Sequence, residues 1–98
     1  MEVLRPYEDS KNIRTFKGNV GTKKLVWHRD KEFRFITVLE GENWKLQFDD
    51  EDPKVLLVGA QYLIPRMVYH RLWRGDGDLK IYIERVKIWE SKKTKPAV

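Results

Sequence analysis

Two histidines and one nearby carboxylate are the side chains whose types and spacing could bind a metal ion. The chain of 98 residues contains two His and no Cys, so imidazole and carboxylate are its available metal chemistry. His28 and Asp30 are two residues apart, and on a strand they would face the same side. His70 is in phase with Val68 and Leu72, where strand alternation would point it inward. Two imidazoles and one carboxylate suit Fe(II) or another first-row divalent ion, because they leave positions open for a ligand.

Other reactive patterns are missing from the sequence. No Ser or Thr stands in a recognisable nucleophile setting, and no glycine-rich turn leads from a strand into a helix. We therefore expect no nucleotide cofactor. Gly75-Asp76-Gly77-Asp78 lacks the ligand spacing of a calcium loop, and we interpret it as a turn.

Short strands are predicted to position these residues. The runs rich in β-branched and aromatic residues, bounded by turn signals, are Lys23–His28, Phe33–Leu39, Trp44–Phe48, Lys54–Val58, Gln61–Ile64, Val68–Trp73 and Leu79–Ile88. We expect Phe33–Leu39 and Trp44–Phe48 to form a hairpin through Glu40–Asn43. No window of about 11 residues has an apolar stripe at helical spacing. The pattern predicts an all-β sandwich or small barrel.

Length and composition restrict the class of protein. The length allows one domain, and the absence of Cys excludes a disulfide scaffold. The longest aliphatic run, Val55–Val58, is far shorter than the ~20 apolar residues of a membrane helix. The first residues lack the apolar stretch of a secretory signal. We expect a cytoplasmic protein with no membrane partner.

The net charge of +5 suggests nucleic-acid binding, but its distribution argues against it. Lys92, Lys93 and Lys95 supply three of the five positive charges, in a tail that contains no acid. Residues 1–90 keep a charge of +2 with both signs interleaved and no basic stripe. The prediction is a β-barrel over residues 1–90, with an N-terminal strand or arm over about residues 1–19, and a flexible basic tail over residues 91–98.

The segment from Gly59 to His70 carries a motif of the form G-x5-P-x4-H, with Pro65 at its centre. The glycine permits a turn into a strand, and the proline breaks the ladder where the chain turns again. This pattern resembles the second motif of the cupin superfamily. It departs from that motif at Met67 and Arg74, where the family has Gly and Asn.

The first cupin motif is present in altered form. Counting back from Gly41 places Arg34 at the family's Glu position, and places Asp30 and His28 at its two His positions. The resemblance spans about residues 20–86 and implies a single-domain, double-stranded β-helix, also called a jelly-roll or cupin barrel. It also implies a pocket inside the barrel and a homodimer formed through edge strands.

The resemblance, together with the residue types, implies a ligand set. His28, Asp30 and His70 are the predicted metal ligands, for Fe, Mn, Ni or Zn. Arg34, Gln47 and Arg66 are the predicted contacts of a small polar or anionic molecule. The function expected is binding of a divalent metal and of that molecule in the barrel.

Two alternatives remain open because Arg34 would place a guanidinium beside a metal. The first is a metal-free cupin that binds a small molecule through arginine. The second is a structural or partner-binding cupin without catalysis, which would resemble the small stand-alone cupins of bacteriophage genomes. The residues do not decide whether the protein is an enzyme.

Overall fold

The computed structural model of the protein describes residues 7–86, which form eight strands around one hydrophobic core. The strands are β1 (Tyr7–Ser10), β2 (Ile13–Phe16), β3 (Phe33–Glu42), β4 (Lys45–Phe48), β5 (Lys54–Val55), β6 (Gln61–Ile64), β7 (His70–Trp73) and β8 (Asp76–Val86). A 3-10 helix, Thr22–Lys24, lies between β2 and β3. Over residues 7–86 the structure contains no α-helix and no helix long and apolar enough to span a membrane.

Three sequence predictions extend beyond the described residues. The basic tail, residues 91–98, lies wholly outside them. The same holds for the first six residues of the predicted N-terminal arm and for Lys87 and Ile88 at the end of the last predicted strand.

The strands pair antiparallel in two sheets. One sheet has five strands in the order β1-β2-β8-β3-β6, and the other has three in the order β5-β4-β7. Inward side chains from both sheets form the core, with Ile36 of β3 and Leu46 of β4 almost fully buried. The ring of Phe16 lies 6.0 Å from that of Trp44 and joins the two layers. The prediction of an all-β fold is confirmed.

The N-terminal strands form a hairpin that extends the larger sheet. Lys11 and Asn12 connect β1 to β2, and both have positive φ angles of 53° and 38°. Tight two-residue hairpins need this left-handed backbone to match the twist of their strands. Since β2 pairs with β8, the hairpin places Arg14 and Phe16 beside the centre of the sheet.

The predicted hairpin between β3 and β4 is wrong, because these strands belong to different sheets. β3 pairs with β6 and β8, whereas β4 pairs with β5 and β7. Irregularities in the β3–β8 pairing between Val38 and Glu42 bend the end of β3. Trp44 then enters the core completely, and its indole N–H donates to the Gly77 carbonyl at 3.1 Å. The chain thus passes from one sheet to the other.

Two further predicted elements are of a different type in the structure. Lys23–His28 is not a strand: it begins in the 3-10 helix and runs on as irregular chain to a single bridge at His28. Leu25 anchors this segment in the core, which explains its strand-like apolar character. The predicted turn Gly75–Asp78 is mostly strand, because β8 starts at Asp76.

Candidate metal centre and its cavity

His70 is held in the core by the inner face of β7. It lies opposite Phe48 of β4 and is 4% exposed. The backbone N–H of His28 donates to the His70 carbonyl at 3.0 Å, and the His70 N–H donates back at 2.8 Å. This isolated bridge brings the two imidazoles to 4.3 Å between ring centroids.

Both imidazoles are oriented in the same way. Nδ1 of His28 lies 3.0 Å from the Val26 carbonyl oxygen, and Nδ1 of His70 lies 2.9 Å from that of Val68. A carbonyl only accepts, so each neutral ring carries its proton on Nδ1. The lone pair of Nε2 is left on each ring, which is the arrangement required of a metal ligand.

Burial keeps His70 in the neutral form. The loss of hydration lowers the pKa of His70, and the nearby His28 and Arg34 act in the same direction. The hydrogen bond to the Val68 carbonyl and the charge of Asp30 oppose this change but do not reverse it. The lone pair on Nε2 is therefore kept at neutral pH.

Asp30 completes a cluster of three potential ligands. One ligand atom each from His28, Asp30 and His70 lies within 4.8 Å of the others. Oδ2 of Asp30 stands 3.4 Å from Nε2 of His70 and, although buried, has no hydrogen-bond partner. A carboxylate oxygen facing an imidazole lone pair is repelled unless a cation lies between them.

The cluster fits a divalent metal ion. Ions such as Zn²⁺ bind nitrogen and oxygen at ~2.0–2.2 Å, which places donor atoms roughly 3–3.5 Å from one another. The Asp30–His70 separation already has that value, and the exposed His28 side chain can complete the set.

Arg34 pairs with carboxylates beside the cluster. Its two terminal nitrogens lie 3.5 Å from Asp30 Oδ1 and 3.6 Å from Glu32 Oε1, while the buried Nε has no hydrogen-bond partner. Arg34 thus contacts the Asp30 oxygen that faces away from His70. The guanidinium itself offers no donor atom to a metal.

Two adjoining cavities open from the cluster. The inner one, about 40 Å³, lies between the sheets and is bounded by His28, Asp30 and His70 among others. This volume is sufficient for an ion and one water, since a water takes up ~30 Å³ in the liquid. The outer cavity, about 260 Å³, also touches His28, Asp30 and Arg34 and extends toward β2 and the 3-10 helix.

The other two predicted ligand contacts lie elsewhere. Gln47 is on the outer face of β4, where its Oε1 accepts from the Trp73 indole at 2.9 Å and its Nε2 donates to the Glu51 carbonyl at 2.9 Å. Arg66 is exposed in the turn between β6 and β7. Neither residue lines either cavity.

Sequence reasoning missed Arg14 and Lys24, which line the outer cavity. A signal for Arg14 was present, because it lies two residues before the apolar Phe16 and so shares its inward face. No comparable signal marks Lys24, whose place depends on how the 3-10 helix folds over the sheet.

No protein-family model matches the chain, and no curated protein matches it. Among solved structures, a cupin-2 domain protein from Shewanella frigidimarina superimposes with a TM-score of 0.51 at 24% identity, over 81% of this chain and 76% of that one. The chain has a cupin fold.

Two further structures share this cupin fold. A Ralstonia eutropha protein provisionally named a mannose-6-phosphate isomerase matches with a TM-score of 0.58 at 14% identity, over 87% of this chain and 83% of that one. The Fe(II) form of HppE matches with a TM-score of 0.60 at 21% identity over 76% of this chain. The match spans only 41% of the HppE chain. A Co(II) form of HppE in complex with its substrate is similar too.

Proposed function

We propose that the protein is a small double-stranded β-helix cupin that binds one divalent metal ion through His28, Asp30 and His70. In this proposal it also binds a small polar or anionic molecule beside the ion. The observation that carries the proposal is the buried Asp30 Oδ2, which faces Nε2 of His70 without a hydrogen-bond partner. The Fe(II) and Co(II) forms of the structural neighbour HppE support it.

The chain's own residues prepare this site. The Val26 and Val68 carbonyls fix both imidazoles with Nε2 available, and Arg34 holds the second oxygen of Asp30. Two imidazoles and one carboxylate suit Fe, Mn, Ni or Zn. When bound, such an ion acts as a Lewis acid that polarises an oxygen of a bound molecule.

Elemental analysis of protein purified without a His-tag tests the proposal. We expect close to one ion per chain after incubation with Fe(II), Mn(II), Ni(II) or Zn(II), and a higher melting temperature with at least one of them. His28→Ala should lose both effects, whereas Gln47→Ala, on the outer face, should keep both. A metal content below about one-tenth of an ion per chain, with no thermal shift, would refute the metal site.

A metal-free binding protein is the second candidate function. The contact of Arg34 with Asp30 Oδ1 favours it, because a guanidinium partly neutralises the carboxylate without an ion. Failure of the metal test, together with saturable binding of a small anion to the metal-free protein, would support this alternative.

A further inference from the structure

The walls of the outer cavity differ sharply in chemistry. Arg14, Lys24 and Arg34 contribute three cationic side chains, whereas Asp30 is the single carboxylate among the described lining residues. The apolar part of the wall comes from Phe16, Leu25, Val26 and Leu72. We propose that this cavity binds an organic oxyanion with an apolar body, whose charged head contacts Arg14 and Lys24. The inference deepens the proposed function and rests on it where it places this molecule beside the metal.

Arg14 is held in position to receive an anion. It lies on β2 opposite Ile81, and its side chain is 11% exposed. Asp9 accepts hydrogen bonds from Nε at 2.8 Å and from one terminal nitrogen at 3.1 Å. A guanidinium has five N–H donors, so this pairing fixes the group and leaves donors for a second acceptor. The Tyr7 ring, 3.7 Å from the guanidinium carbon, supports the same orientation.

Lys24 adds a positive charge that no acid of the described chain neutralises. It is the last residue of the 3-10 helix and is exposed, and residues 7–86 provide no ion-pair partner for it. Lysine acts as a mobile point charge, which suits attraction of an anion at a cavity mouth. The neighbouring Lys23, on the same helix, does not line the cavity and therefore offers a matched control.

The cavity limits the size of the molecule. Its volume of about 260 Å³ lies just below the ~300 Å³ at which pockets for drug-sized ligands begin. At ~30 Å³ per water, the space corresponds to on the order of ten non-hydrogen atoms. An apolar body packed against Phe16 and Leu72 would contribute favourable binding free energy, because apolar surface is removed from water. A small anion without such a body would leave these side chains in contact with water.

The shared boundary with the inner cavity places the molecule next to the metal ligands. His28, Asp30 and Arg34 line both cavities. An ion at the cluster would add positive charge near Lys24, which has no ion-pair partner among residues 7–86, and near two arginines that are already paired with carboxylates. A bound anion would balance this added charge.

Calorimetric titration with matched probes tests the inference. Phenylacetate, phenylphosphonate and the neutral phenylacetamide have similar size, and acetate lacks the apolar body. Each is titrated into the full chain loaded with Co(II) and into the metal-free chain. We expect phenylacetate or phenylphosphonate to bind at least about tenfold more tightly than phenylacetamide, and acetate to bind more weakly than phenylacetate. The tighter of the two anions identifies the head group as carboxylate or phosphonate.

Substitutions locate the anion. Arg14→Met and Lys24→Met should each weaken binding of the anion by about tenfold without lowering the affinity for Co(II), while Lys23→Met should change neither. Lys24 is exposed, so its variant remains informative if Arg14→Met fails to fold. The inference would be overturned if neither phenylacetate nor phenylphosphonate bound more tightly than phenylacetamide, or if both Met variants bound the anion as the wild type does.

The two proposals fail separately. If the wild-type chain binds no Co(II), the metal site is refuted, and the metal-free titration then decides the ligand inference. Anion preference that is lost in Arg14→Met would support the cavity assignment without a metal. Normal Co(II) binding with no anion preference would retain the metal site and refute the anion site.

Discussion

The two faces of β7 each place a nitrogen-containing side chain beside aromatic rings, but one side chain is buried and the other lies at the surface. On the inner face, His70 is 4% exposed and stands beside the rings of His28 and Phe48. On the outer face, the Arg71 guanidinium carbon lies 4.9 Å from the Trp27 ring centre and 4.3 Å from that of Trp73. Both tryptophans are at least 40% exposed.

The difference shows how burial decides what the same strand can do. Inside, exclusion of water lowers the pKa of the imidazole and preserves a lone pair for a cation. Outside, the half-buried guanidinium lies against two exposed rings, and stacking at such a surface contributes little to stability. Alternation by one residue separates a candidate site from a surface contact.

The largest expected difference between substitutions on the two faces of β7 is in metal affinity. His70→Ala removes one of the three proposed ligands, and we expect the affinity for Co(II) or Zn(II) to fall on the order of 100-fold or more. Arg71→Ala, one residue along, should leave it within about twofold. Calorimetric titration measures both, and equal losses in the two variants would contradict the assignment of the inner face.

Charge reversal at Arg34 tests the same difference between an interior and an exposed position. Arg34→Glu places a carboxylate beside the cluster, and we expect metal affinity to rise about tenfold because a like charge is replaced by a donor. The metal-free variant should be less stable, since the new carboxylate faces Asp30 and Glu32. Arg66→Glu makes the same charge change at an exposed position. A similar rise in metal affinity in that variant would show that net charge, and not a carboxylate at the cluster, causes the gain.

The inner histidine should make the metal-free protein sensitive to pH. The pKa of folded His70 lies below its usual 6.5, so the unfolded chain binds the proton more readily. Stability is full above pH ~6.5 and is lost as pH falls toward the folded pKa, by at most ~1.4 kcal/mol per pH unit. Urea unfolding at pH 7.5 and 5.5 measures this, and His70→Gln should flatten the difference. An unchanged slope in that variant would assign the effect to other groups.

The outer face should show the smallest effect. Trp73→Ala and Arg71→Ala remove one stacked pair, and we expect a coupling of roughly 0.5–1 kcal/mol in a double-mutant cycle of unfolding free energies. A larger coupling would mean that the outer stack contributes to the fold as much as inner packing does.

Local patterns predicted the parts of the site that depend on strand alternation. The inward direction of His70 follows from its phase with Leu72, and both contact the interior. The proximity of Asp30 to His28 follows from two-residue spacing, although the segment is irregular chain with one bridge.

Long-range packing decided what the sequence could not. The passage of the chain between sheets after β3 depends on irregular pairing with β8, which lies nearly forty residues away. Arg14 and Lys24 line the cavity because the N-terminal hairpin and the 3-10 helix fold against the sheets. Strand alternation did not decide whether Gln47 faces the interior or the outer surface. In the structure it lies on the outer face, where it accepts a hydrogen bond from Trp73 of β7.

The single bridge at His28 has a consequence for the way the molecule would respond to an ion. A residue held by two backbone hydrogen bonds, with no ladder on either side, opens locally at low free energy. An ion bound by both histidines would act as a reversible cross-link between positions roughly forty residues apart. Such a cross-link stabilises the folded state because it restricts a long loop of the unfolded chain. Amide exchange at His28 and Arg29 should therefore slow far more on metal binding than exchange in β3 does. The ion would then stabilise this segment more than the rest of the fold.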